Sequence, residues 1–154
     1  MIDIHIEKAF RGKAQEKALQ AAIEAAMQHQ GLSGEVSLVV TGDREIRALN
    51  RQHRDEDRAT DVLSFPSGEI NPESGQPYWG DIVIAYPTAE RQAQAAAHDT
   101  QAELVFLAVH GVLHLAGHDH ADAASKAAMW AAQAEILVGL GLQIDTSHAE
   151  ASHE

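Results

Sequence analysis

The chain has 154 residues, 45% hydrophobic and 22% charged, enough material for one domain with a substantial core. It has no cysteine, which excludes disulfides, thiolate metal sites and a cysteine nucleophile, so a metal would have to be held by histidine or carboxylate. The net charge of −12 argues against a general polyanion binder, yet four of the eleven cations lie in 8–17 and five in 44–58, and local charge sets what a surface attracts.

Ile2 to Ile6 alternates apolar and polar residues and reads as a strand. A helix is predicted over 12–30, with Leu19, Ile23 and Met27 recurring every four residues and Gly31 as its stop. Glu35 to Thr41 reads as a second strand with Val36, Leu38 and Val40 on one face. Asp43 is suited to cap a helix running to about Arg54. A short strand, Val62 to Phe65, is halted by Pro66. A loop with Gly68, Asn71, Pro72, Gly75 and Pro77 follows, and a fourth strand runs from Gly80 to Ala85. Pro87 opens a helix over about 88–97. Thr100-Gln101-Ala102-Glu103 has the form of a capping box ahead of a buried helix. Asp122 can cap a last, Ala-rich helix to about Val138, with Gly139 and Gly141 after it. The expectation is a single small α/β domain over 1–142, about four strands flanked by about five helices. Residues 143–154 are expected to form a flexible polar tail. The longest strictly apolar run is six residues, too short to span a membrane, and the first residues lack the features of a secretory signal. The chain is therefore expected to be cytoplasmic, with no membrane partner.

The densest chemical signal is His110-Gly-Val-Leu-His114-Leu-Ala-Gly117-His118-Asp119-His120, which holds four of the ten histidines. His110 and His114 share one helix face and can share one metal ion. The apolar run Leu104 to Val109 marks that helix as buried, and buried imidazoles need partners. A continuing helix would carry His120 about 9 Å beyond His114 along the axis. A stop at Gly117, a residue tolerant of the left-handed C′ conformation, lets the chain fold back and offer His120 as a third ligand. Three histidines with an open fourth position is the pattern of a catalytic zinc site at the end of a buried helix, with one Zn2+ per chain. Neutral ligands leave the ion its full charge, able to bring a bound water's pKa to about 7.

Arg44, Arg47, Arg51, Arg54 and Arg58 recur at spacings of three and four, and the first four fall on one helix face. All five are Arg, the planar phosphate binder, and at least one is expected to face phosphate, in or near the loop after the helix. Asp61, Asp81 and Asp119 are candidates to hold a histidine N–H, with turn or cap roles as the plainer alternative. His118 is a base or an exposed side chain. Trp79 offers a stacking surface for bases, and Trp130 reads as core.

The stretch His110 to His120 resembles the signature of the YbeY family of bacterial rRNA-maturation endoribonucleases. Two further blocks agree in order: Arg54 followed by Thr60-Asp61-Val62-Leu63-Ser64-Phe65-Pro66, and Gly80-Asp81-Ile82. The resemblance implies zinc on His110, His114 and His120, and a catalytic role for Arg54 beside that of His114. It places Ser64 near the site as a possible substrate contact. It also implies cleavage of single-stranded RNA in 16S rRNA 3′-end processing and ribosome quality control. The implied partners are the small ribosomal subunit and its assembly factors, and no DNA is expected. His118 stands where many relatives carry Tyr. Two other readings remain. The spacing of 110, 114, 117 and 120 also matches the extended zincin metalloproteases, but residue 111 is Gly where they carry the general-base Glu. A non-catalytic, zinc-stabilised ribosome assembly factor is the alternative of another class.

Overall fold

The computed structural model describes residues 1–119 and 121–144. Four strands and five helices appear in the expected order: β1 (Ile2–Ile6), α1 (Glu16–His29), β2 (Glu35–Thr41), α2 (Asp43–Arg54), β3 (Val62–Pro66), β4 (Tyr78–Ala85), α3 (Tyr86–Ala95), α4 (Thr100–Leu115) and α5 (Ala123–Gly139). The sheet order is β1-β2-β4-β3. β1, β2 and β4 are parallel, and β3 runs antiparallel along β4 as an edge.

Register assigns each residue to a face. Ile4, Leu38, Ile82 and Ser64 lie side by side across the sheet. Their neighbours Asp3, Ser37, Asp81 and Phe65 form the next row, on the opposite face. The first face buries Leu38, Ile82 and Ile84 against α1 and α4 in the main core. The second is covered by α2, which seats Ile46 on Leu63, Val83 and Ala85.

α4 is the central element. Every residue from Ala102 to Leu113 is buried, as befits a helix apolar on all sides, and α1, α3, α5, β3 and β4 surround it. Its approach to the sheet depends on Gly111: a Cβ there would lie 2.7 Å from Ile82 Cγ2. At its end the Gly117 N–H donates to His114 O (3.0 Å) and the His118 N–H to Leu113 O (3.0 Å), while Gly117 takes φ +102°. This is a Schellman ending, and it turns the chain where the sequence places a stop.

Several local expectations are corrected. α1 begins at Glu16 rather than 12, because Lys8–Phe10 forms a 3-10 turn and the Gln15 N–H donates to Gln101 Oε1 of α4 (3.0 Å). α3 begins at Tyr86, whose ring stacks on Phe10 with centroids 5.2 Å apart. Thr100 does not cap α4: Asp99 does, accepting from the Ala102 N–H at 2.7 Å, and Glu103 is drawn inward to His98 (2.6 Å). Asp43 is the first residue of α2 rather than its cap. Burial pushes its carboxyl up, but hydrogen bonds from Thr88 (2.7 Å) and Arg91 (2.8 Å) outweigh this and hold it below the usual carboxylate range. Asp122 caps α5 as expected, accepting from the Ser125 N–H. Leu142 and Ile144 still pack on the core, and residues 145–154 of the expected tail lie outside the described residues. Among the described residues no helix is long and apolar enough to cross a membrane.

Candidate metal centre

The last turn of α2 and the last turns of α4 lie on opposite faces of edge strand β3. Between them opens a cleft of about 400 Å³, lined by Arg54, Arg58, Asp61, Ser64, His110 and His114 among others. Residues from three separated stretches of sequence thus share one wall-and-floor arrangement.

His110 is buried and His114 half-buried. Their Nε2 atoms are 3.2 Å apart. Two nitrogens bound to zinc at 2.0–2.1 Å in tetrahedral geometry would stand about 3.3 Å apart, so the pair fits one ion with little adjustment. His110 Nδ1 is 2.9 Å from Gln133 Oε1, an acceptor, so a proton on Nδ1 would satisfy both atoms and leave the Nε2 lone pair toward His114. His120 lies outside the described residues. Among the described residues no group of three His, Asp or Glu side chains could hold a metal ion.

The pleat separates the remaining candidates. Ser64 faces α4, and its hydroxyl donates to the Gly111 carbonyl (3.2 Å), so it is half-buried at the cleft. Asp81, one row over, points to the other face and is not brought to the histidines. It accepts from the Tyr78 hydroxyl at 2.5 Å. Desolvation, then that hydrogen bond, push the Tyr78 phenol up to about 12. Asp61 lines the cleft but is buried and accepts from the Val62 N–H (2.8 Å). Asp119 is exposed and accepts from the Ala121 N–H (3.0 Å), a turn role. His118 contacts Gln30 Oε1 (2.9 Å) at the end of α1, away from the cleft lining. Trp79 donates to the Ser33 carbonyl (3.0 Å), and Trp130 stacks on Phe106.

The arginine stripe also divides. Arg54 and Arg58 reach the cleft. Arg47 is held by Asp57 through two bonds (2.8 and 3.2 Å), and Arg58 pairs with Glu56 (3.1 Å). Arg44 and Arg51 are exposed outside the cleft lining. The hydrogen bonding that Arg47 donates to Asp57, and then the charge of that carboxylate, raise the Arg47 guanidinium above its ordinary value.

Two residues escaped the sequence reading. Asn50, buried on α2, donates from Nδ2 to the Arg58 carbonyl (3.0 Å) and so shapes the loop that carries this cation. Gln133, buried on α5, holds His110. A signal existed for Gln133: it falls on the same helical stripe as the apolar Met129, Ile136 and Leu137.

The Endoribonuclease YbeY family model matches residues 2–141. Relatives named Endoribonuclease YbeY include one from Deinococcus radiodurans, 50% identical over 107 residues and covering 69% of each chain. Another, from Moorella thermoacetica, is 46% identical over 134 residues, covering 81% of this chain and 86% of the relative. A third, from Shouchella clausii, is 41% identical over 155 residues, covering 92% and 97%. The fold is similar to the solution structure of TM1509 from Thermotoga maritima, with a TM-score of 0.60 and 29% identity over 89% of this chain and 87% of that one. On a family match spanning nearly its whole length and relatives at this level of identity, the chain belongs to the endoribonuclease YbeY family.

Proposed function

We propose that this chain is a zinc-dependent endoribonuclease that cleaves single-stranded RNA in 16S rRNA 3′-end maturation and ribosome quality control. It acts in the cytoplasm with the small ribosomal subunit and its assembly factors. The names of its relatives support the RNA-cleaving class. The observation that carries the metal chemistry is the 3.2 Å separation of the His110 and His114 Nε2 atoms at a cleft that also receives Arg54.

His110, His114 and His120 would hold one zinc. When bound, the ion supplies a Lewis acid that activates water or withdraws charge from a phosphoryl oxygen. The chain's own residues do the rest. Arg54 is a permanent cation at the end of α2 and stabilises the negative charge that builds on the phosphoryl oxygens as the phosphodiester bond breaks. Arg58 offers a second guanidinium to the backbone on the same side. The Ser64 hydroxyl, fixed on Gly111, keeps the floor polar between the histidines and β3.

Peptide hydrolysis is disfavoured. Gly111 stands where zincin proteases carry their general base, and even one added carbon there meets Ile82 at 2.7 Å, so a glutamate has no room.

The test is metal analysis and single-stranded RNA cleavage by wild type and His114→Ala. The expected result is about one zinc per wild-type chain, and a folded variant that has lost both zinc and cleavage. Wild-type protein that binds zinc without metal-dependent turnover would instead support a non-catalytic assembly factor.

A further inference from the structure

We propose that Gln133 is the positioning residue of the metal centre: its side-chain carbonyl fixes the tautomer and orientation in which His110 offers Nε2 to the ion. The inference rests on the zinc reading above and deepens it.

An imidazole in an apolar box has two degenerate choices. Its ring can turn over, and its single proton can sit on either nitrogen. His110 lies in such a box, with the rings of Phe106 and Trp130 at centroid distances of 5.9 and 6.2 Å and almost no exposure of its own. Packing alone does not tell Nδ1 from Nε2. Gln133 does, because Oε1 can only accept, so the nitrogen facing it at 2.9 Å must be the protonated one. The lone pair is left on Nε2, toward His114.

Gln133 is itself almost wholly buried on α5, beside the core residues Met129, Ala132, Ile136 and Leu137. An amide buried there needs a partner, and His110 supplies one. The partner is also neutral. A carboxylate at this position would lend the imidazole negative charge and make it a stronger donor, at the expense of the ion's own positive charge. An amide sets the geometry and leaves that charge for the substrate.

Two measurements test the assignment. In long-range proton–nitrogen NMR of the metal-free protein above the titration range of histidine, His110 is expected in the Nδ1–H form. In Gln133→Met, of similar length but unable to accept, it is expected as a mixture. In zinc competition against a chromophoric chelator, Gln133→Met is expected to bind roughly 10- to 100-fold more weakly than wild type. Gln133→Glu, which keeps the acceptor, is expected to bind at least as tightly as wild type. Wild-type affinity in Gln133→Met, or a wild-type His110 protonated on Nε2, overturns the proposal. Failure of the zinc reading looks different: His110→Ala and His114→Ala would then bind zinc as wild type does, while the tautomer measurement would still decide the role of Gln133.

Discussion

Gly111→Ala isolates the contact that seats the central helix on the sheet. Two effects oppose each other. In a helix interior alanine is better than glycine by about 1 kcal/mol. Against this, the new methyl group would lie 2.7 Å from Ile82 Cγ2 and 3.1 Å from both Cγ1 and Cδ1. Cγ2 sits on a β-branched carbon with a stiff first torsion, so the side chain cannot swing clear. Overpacking of this kind costs about 1–3 kcal/mol, which leaves a net loss of about 1 kcal/mol and a fall in Tm of roughly 2–4 °C. The diagnostic is a double-mutant cycle with Ile82→Ala, read by urea and thermal unfolding. Ile82→Ala alone should cost roughly 2–5 kcal/mol. In that background the obstruction is gone, and Gly111→Ala should stabilise by about 1 kcal/mol, a coupling of about 2 kcal/mol. A coupling near zero, or a gain in stability from Gly111→Ala with Ile82 intact, would show that close helix–sheet approach is not why glycine stands there.

Ala97 closes α3 with φ +60°, the Ala97 N–H donating to Gln94 O (3.3 Å) and the His98 N–H to Ala93 O (3.1 Å). Left-handed backbone costs an L-residue roughly 1–2 kcal/mol, part of which glycine returns as unfolded-state freedom, so Ala97→Gly should stabilise by about 1 kcal/mol in thermal unfolding. Arg54→Ala should keep the fold and its zinc but cleave RNA roughly 100- to 1,000-fold more slowly in single turnover; undiminished cleavage would remove Arg54 from the mechanism. The Tyr78 phenol, raised from 10.0 to about 12, contributes stability that is complete below pH 10 and disappears as pH rises through about 12. Absorbance titration should show Tyr78 un-ionised at pH 10, and Asp81→Asn should bring it closer to the ordinary value.

Much of the fold was legible because β1 alternates strictly and three of the five helices end on glycine. β1 and β2 matched residue for residue, and Gly31, Gly117 and Gly141 each close a helix. What failed was choice among equally good local chemistries. Asp99 and Thr100 are both good caps; Asp99 takes the Ala102 N–H, while Glu103, the partner a Thr100 capping box needs, meets His98 instead. The meeting of His110 and His114 on one face of α4 was legible from their spacing of four. The site was illegible where a partner comes from far along the chain. Gln133 is 23 residues from His110, and its amide looks like any polar side chain until α5 is laid against α4. Asp81 misled in the opposite way: a motif aspartate one residue before Ile82, which pairs with Ser64, it is turned from that face by a single pleat.

That pleat makes β3 a strand whose parity matters more than its composition. Val62 and Ser64 face the main core and α4, while Leu63 and Phe65 close the small core beneath α2. Loss or gain of one residue within this strand would trade the two allegiances, setting a phenyl ring where a hydroxyl meets Gly111 and a hydroxyl in the apolar layer. A change of two residues would shorten the strand yet keep each side chain loyal to its face. Length variation along this edge should therefore be tolerated in even steps and ruinous in odd ones.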